Sequence, residues 1–296
     1  MNKKILVVIL ILVLAFSLSS CGSEKVSDND TIICVEYFSY DWVRNILGDE
    51  FENYNVVLLN QTGKDMHSFE PSASDMVKML ESDYLVYLGG ISESWIDDFL
   101  TDKDISSTSL MDEFINSDVA KNYELDLNDI DEHIFLSPVI SSELIRLLGE
   151  YLEGKFNNSK FYTNASLYAD EVLKLKDTKI GEYPIVVCDR FPFDYLSKDM
   201  GFQFFAAFDG CSAETEASFS VILELVNAIN DNSLDRVYVI ENSDASIAEQ
   251  VISASNLSDV EIMELNSLQS VTDMSLSYLD TLSNIVNLIS DGTIKG

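Results

Sequence analysis

Two runs of alternating strand and helix signals, set apart by a long stretch with no strand, constrain this chain more than any other feature. In the first run, residues 31–37, 55–59 and 84–88 are rich in β-branched and aromatic side chains, and residues 40–47, 74–81 and 95–100 carry helical spacing. A serine heads the second of these helices, where its oxygen can cap free backbone N–H groups. In the second run, strands are predicted over 185–188, 204–208, 237–240 and 260–265, alternating with helices around 193–200, over 219–229, from 246 and over 274–289. Between the runs, from Ser141 to about Lys179, Phe161, Ala165, Tyr168, Val172 and Leu175 recur at steps of four and three, the stripe of an amphipathic helix. Strands that alternate with helices pair in parallel under helical layers. The expected fold is therefore α/β: two lobes, each a mostly parallel β-sheet flanked by helices, joined by a long bridging helix. The boundaries read as 31–140 for the N-terminal lobe, 141–183 for the bridging segment and 184–296 for the C-terminal lobe. Ligands of such sheets sit outside the carboxyl ends of the strands.

The first twenty residues belong to neither lobe. Two lysines, Lys3 and Lys4, precede an apolar run from Ile5 to Phe16, the pattern of a secretory signal. The run is too short for a spanning helix, which takes roughly 20 residues. Leu18-Ser19-Ser20-Cys21-Gly22 resembles the bacterial lipobox, in which the cysteine thiol accepts a diacylglyceryl group. Residues 1–20 are thus expected to be removed, leaving lipidated Cys21 and a polar leash over 21–30. The protein would then be held by its acyl chains outside the cytoplasmic membrane.

Charge excludes one class of partner. The whole chain carries a formal net charge of −33, and loss of residues 1–20, with two lysines and no acid, takes it to −35. No basic footprint remains to neutralise phosphates, so nucleic acid is not a partner. Of the other cysteines, Cys34 lies within an apolar strand and reads as a small buried hydrophobe. Cys188 and Cys211 lie at the ends of neighbouring segments in a compartment that permits a disulfide, although spacing alone does not give its geometry. There is no C-x-x-C pair, G-x-S-x-G elbow, H-E-x-x-H motif or P-loop. The chain is accordingly not expected to be an enzyme.

The chain has only two histidines, and both fall at the loop edge of the first lobe. His67 follows the strand at 55–59, within Asp65-Met66-His67-Ser68-Phe69-Glu70-Pro71, and His133 lies in Asp131-Glu132-His133-Ile134-Phe135-Leu136-Ser137-Pro138. Neutral imidazole ligates zinc, manganese and iron, so two such residues can supply half of a four-coordinate shell. Loop histidines are also ordinary surface residues, and the residues alone leave both readings open.

The stretch from His67 to Asp75 resembles a signature of the cluster-9 substrate-binding proteins of zinc and manganese ABC transporters. The segment around His133 is similar to that family's acid-Pro-His-hydrophobic-Trp-Leu-Asp-Pro. Phe191-Pro192-Phe193-Asp194-Tyr195-Leu196 resembles a third segment, and Gly210-Cys211-Ser212-Ala213-Glu214-Thr215-Glu216 the acidic stretch after it. The similarity covers nearly the whole chain beyond the leash, in matching order. It implies that His67 and His133 are metal ligands, and that a rigid bridging helix limits closure to a modest shift. It also implies a membrane-embedded ABC permease as partner, zinc or manganese as the transported ion, and a monomer.

The chain departs from the family at two ligand positions. The third ligand, His or Glu, would stand at Arg190, whose guanidinium stays protonated and cannot ligate a cation. The fourth falls at Asn266, a weak neutral donor. Asp189, Glu214 and Glu216 are the substitutes at the same edge, and Arg190 can pair with an acid across the cleft. The loop 117–132 carries Glu124, Asp126, Asp129 and Asp131 but lacks the histidines of zinc-selective relatives. The expected function is capture of a divalent transition metal for an ABC importer. The alternatives are a scaffold that no longer binds metal and serves as a surface interaction or adhesion lipoprotein, and transport of a metal chelate recognised by Arg190.

Overall fold

The computed structural model describes residues 29–127, 130–210 and 216–294. The signal, Cys21, Asp129, Cys211 and Glu214 lie outside them. The first lobe holds β1 (Thr31–Cys34), α1 (Tyr37–Leu47), β2 (Asn55–Leu58), α2 (Ala73–Leu80), β3 (Tyr84–Tyr87), α3 (Ser94–Leu100), β4 (Ser107–Ser109) and α4 (Leu110–Asn116). Two helices follow, α5 (Pro138–Phe156) and α6 (Lys160–Lys174). The second lobe holds β5 (Ile185–Phe191), α7 (Asp194–Met200), β6 (Phe204–Asp209), α8 (Phe219–Asn232), β7 (Arg236–Ile240), α9 (Ser246–Ala254), β8 (Glu261–Leu265) and α10 (Tyr278–Thr293). Each sheet has four parallel strands, ordered β2-β1-β3-β4 and β6-β5-β7-β8. In both, the chain starts beside the centre, steps outward and returns, which opens a crevice at the carboxyl ends of the central strands.

Three apolar clusters account for the layers. Alternate residues of the inner strands point to opposite faces, and both faces are covered, so the strands read as nearly unbroken apolar runs. Ile33, Val35, Leu85 and Tyr87 pack outward against Met79 and Ile96. Val186, Cys188, Val237 and Val239 pack outward against Leu225, Ile229, Ala248 and Val251. The opposite faces, with Ile32, Cys34 and Val86 from one sheet and Ile185, Val187 and Tyr238 from the other, share one continuous core with α1, α5, α6 and α10. At the seam Phe38 stacks on Phe135, with centroids 4.3 Å apart, and Trp42 meets Tyr278 edge-on at 5.5 Å. Burial pushes both the Cys34 and Cys188 thiols up, the latter to about 12. Because Cys211 is outside the described residues, the Cys188–Cys211 pairing is not described.

Asp41 on α1 is the polar pin of this seam. Its fully buried carboxylate accepts from Arg44, from Asn45 Nδ2 at 3.2 Å, from Tyr168 Oη of α6 at 3.0 Å and from the Tyr278 N–H of α10 at 3.0 Å. Burial raises its pKa, and the Arg44 charge and these hydrogen bonds work against that rise.

The bridging segment is a helical hairpin, not one helix. Ser137 caps α5 through the Ile140 N–H at 3.0 Å, Pro138 fills its first turn, and Asn157 ends it in the left-handed region at φ 53°. α6 then runs back against α5, with Ala165 tight against Gly149, where an added Cβ would lie 2.2 Å from the Ala165 methyl. The strand β4, three residues of Ser-Thr-Ser paired with β3, was not expected from the sequence.

Candidate metal centre

His67 and His133 come together although 66 residues separate them. Their ring centroids lie 5.4 Å apart with planes inclined at 66°. His67 sits in a 3-10 turn (Met66–Ser68) after β2, and Asp65 holds the head of that turn by accepting the His67 N–H on Oδ1 at 3.0 Å. His133 opens a second 3-10 turn (His133–Leu136) and is fully buried. Asp131 holds it in the same way, Oδ1 accepting the His133 N–H at 2.9 Å.

Hydrogen bonds orient both rings. Asp131 Oδ1 also lies 2.6 Å from His133 Nδ1, an acceptor that places the proton there and gives any ligand role to Nε2. Burial pushes the Asp131 carboxyl up, but the charge and hydrogen bonds of His133 outweigh it and hold it below its ordinary value. For His67 a relay does the same work. The Ser92 hydroxyl donates to Glu132 Oε2, so towards His67 Nδ1, 2.7 Å away, it acts as acceptor. The proton then lies on Nδ1, and Nε2, buried and without a hydrogen-bond partner, carries the lone pair. The Ser92 N–H also donates to Glu132 Oε1 at 2.9 Å. Gly90 makes this approach feasible: it adopts φ +79°, and a Cβ there would stand 2.2 Å from Glu132 Oε1.

Behind the turns lies a buried acid pair. Glu36, at the N-cap of α1, accepts from Asn60 Nδ2 at 3.1 Å, and Glu93 accepts the Gly89 N–H at 2.9 Å. Desolvation raises both, Glu93 to about 8, and the negative neighbours Glu93 for Glu36 and Glu132 for Glu93 add to it.

The second-lobe candidates are differently placed. Asp189 accepts the Arg190 N–H on Oδ1 at 2.7 Å and the Ile240 N–H on Oδ2 at 3.1 Å, which stitches the ends of β5 and β7 together. Asn266 Oδ1 accepts the Leu268 N–H at 2.7 Å and supports Leu268 in the left-handed region. Arg190 reaches across to Asp65, with Nη1 3.3 Å from Oδ2. Glu216 is exposed. Gly210, at the end of β6, lies against His133: a Cβ there would be 2.8 Å from the Phe191 carbonyl and 3.3 Å from His133 Nδ1. Among the described residues, no three His, Cys, Asp or Glu side chains converge to hold a metal ion.

The model of a protein family described as the zinc-uptake complex component A, periplasmic (ZnuA), matches residues 32–292. The chain belongs to the ZnuA family. Among its relatives, the zinc-binding lipoprotein AdcA of Streptococcus pneumoniae (strain ATCC BAA-255 / R6) is 26% identical over 278 residues, covering 88% of this chain and 54% of AdcA. The high-affinity zinc uptake system protein ZnuA of Bacillus subtilis (strain 168) is 21% identical, covering 92% of this chain and 90% of that protein. The chain thus spans about half the length of the streptococcal AdcA relatives. The Zn(II)-bound ZnuA-like domain of Streptococcus pneumoniae AdcA superposes with a TM-score of 0.71 at 22% identity, covering 90% of this chain and all of that domain. This agreement bears out the two-lobed α/β fold expected of a ZnuA-family chain.

Sequence reading missed the residues that orient the rings. Ser92 carried no signal, because a serine after Gly89-Gly90-Ile91 reads as a turn residue. With its relay removed, the His67 ring loses its fixed tautomer. Ser92→Ala is therefore expected to weaken metal binding roughly 10- to 100-fold, the usual cost of losing an outer-sphere partner, with little change in metal-free melting. A calorimetric zinc titration reads it, and unchanged affinity would mean the ring needs no such orienter.

Proposed function

We propose that this chain captures zinc between its two lobes and passes it to a membrane-embedded ABC permease. It would work as a monomer held outside the cell membrane by acyl chains on Cys21. The observation that supports this reading most directly is the pairing of the chain's only two histidines in one cleft, each ring oriented through Nδ1. Nothing about packing requires imidazole at both places, whereas two imidazoles turned this way suit a four-coordinate zinc ion. The names of the relatives specify zinc, and imidazole nitrogen with carboxylate oxygen suits it.

For the oxygen from the second lobe the candidates are Asp189 and Glu214, the latter outside the described residues. Asp189 accepts one backbone amide on each oxygen and keeps a lone pair on each for a cation, Asn266 offers only a neutral amide oxygen that already accepts the Leu268 N–H, and Arg190 cannot ligate. Gly210, at the end of β6, lies against the His133 ring. Asp131 and Asp194 line a groove of about 690 Å³ beside it, and with Asp209 and Glu224 give the approach a negative wall that draws cations in.

The test is a calorimetric titration of purified residues 22–296 with zinc and with manganese. One tight equivalent of zinc and weaker manganese uptake are expected. A folded chain that takes up neither would move the assignment to a surface-interaction lipoprotein.

A further inference from the structure

One short segment of the second lobe sends a side chain to each histidine turn, and the Tyr278 hydroxyl of α10 also donates to the Phe135 carbonyl within the His133 turn at 2.7 Å. Arg190, the penultimate residue of β5, pairs with Asp65 Oδ2 at 3.3 Å. Asp65 Oδ1 meanwhile holds the His67 N–H. One carboxylate thus has one oxygen on the ligand turn and the other on the opposite lobe. Tyr195, on the first turn of α7, donates its hydroxyl to the Asp131 carbonyl at 3.0 Å, and the Asp131 side chain holds both the N–H and Nδ1 of His133. The base of Arg190 is itself fixed: Asp189 accepts its N–H, and it pairs in register with Phe208 of β6.

We propose that Arg190 and Tyr195 are positioning residues for the metal: the second lobe acts on the ion by clamping the aspartates that hold the two histidine turns. This inference rests on the zinc-capture reading above. Arg190 is the member that tests it most sharply, because its two conceivable effects have opposite signs. As a nearby positive charge alone it would repel a cation, and its removal would tighten binding. As a clamp on Asp65 it fixes His67, and its removal loosens binding.

The experiment is a double-mutant cycle on zinc affinity with Arg190→Gln, Asp65→Asn and the pair together, plus Arg190→Lys. Asparagine still accepts the His67 N–H, so Asp65→Asn removes the ion pair and leaves the turn capped. Each single change is expected to weaken zinc binding about tenfold, and the double variant no further, because both remove one interaction. Arg190→Lys should recover most of the loss, and metal-free melting should stay unchanged in all four variants. Zinc binding by Arg190→Gln as tight as, or tighter than, that of the native chain would overturn the clamp. So would losses that simply add in the double variant. Absence of zinc binding by the native protein is a different result, which removes the zinc-capture reading and the clamp with it.

Discussion

Alanine at both His67 and His133 is expected to abolish the stabilisation that zinc confers on the folded protein. An ion that binds only the native state, at about a hundred times its Kd, adds ~2.7 kcal/mol. For a chain of this size that corresponds to a rise of roughly 5–10 °C in melting temperature. The two imidazoles are the only nitrogen side-chain ligands of their kind in the chain. Without them a site would have oxygen donors alone, which suit magnesium or calcium better than zinc. His133 is fully buried, so the double variant also melts lower without metal, and the informative quantity is the shift on adding zinc. A shift that persists at full size in the variant would put the ion elsewhere in the molecule.

The second large effect is structural. Asp41→Ala should cost about 3–5 kcal/mol, because it removes the only carboxylate paired with Arg44, which keeps just the Met274 and Leu276 carbonyls, and takes the acceptor from the Tyr168 hydroxyl and the buried Tyr278 amide. Tyr168→Phe removes one partner while keeping the ring, and should cost only ~1 kcal/mol. Denaturant melts of the two variants check the contrast. A loss below 1 kcal/mol for Asp41→Ala would mean that the seam between α1, α6 and α10 stands without its polar pin.

The strands were legible because parallel sheets covered on both faces demand apolar runs, and Ile32-Ile33-Cys34-Val35 and Ile185-Val186-Val187-Cys188 are such runs. The strand β4 was not, because Ser107-Thr108-Ser109 has no such pattern and extends only through its pairing with β3. The helical hairpin was half legible: the stripe from Phe161 to Leu175 marks α6. The start of α5 stood in plain view as Ser137-Pro138, a cap followed by a residue suited to a first helical turn. Its break at Asn157-Asn158-Ser159 needed to be weighed as a turn. In the cleft, the histidines stood out by scarcity and by the family resemblance. The relay through Ser92 and Glu132 spans 40 residues of the first lobe and exists only once that lobe has folded, and the Asp65–Arg190 pair spans 125 and needs both lobes.

The stack of Phe38 on Phe135, with Trp42 against Tyr278, has a consequence for how such a molecule can be divided. Two sheets of like order invite the picture of two proteins on a string, but Trp42 of the first lobe is closed over by Tyr278 of the second. Cutting the chain in the hairpin between α5 and α6 would give fragments that each present a wet apolar wall to solvent, made for the other fragment. Each lobe has an outer apolar cluster of its own, but the inner faces of both sheets share one core, so the lobes are halves of one object rather than modules.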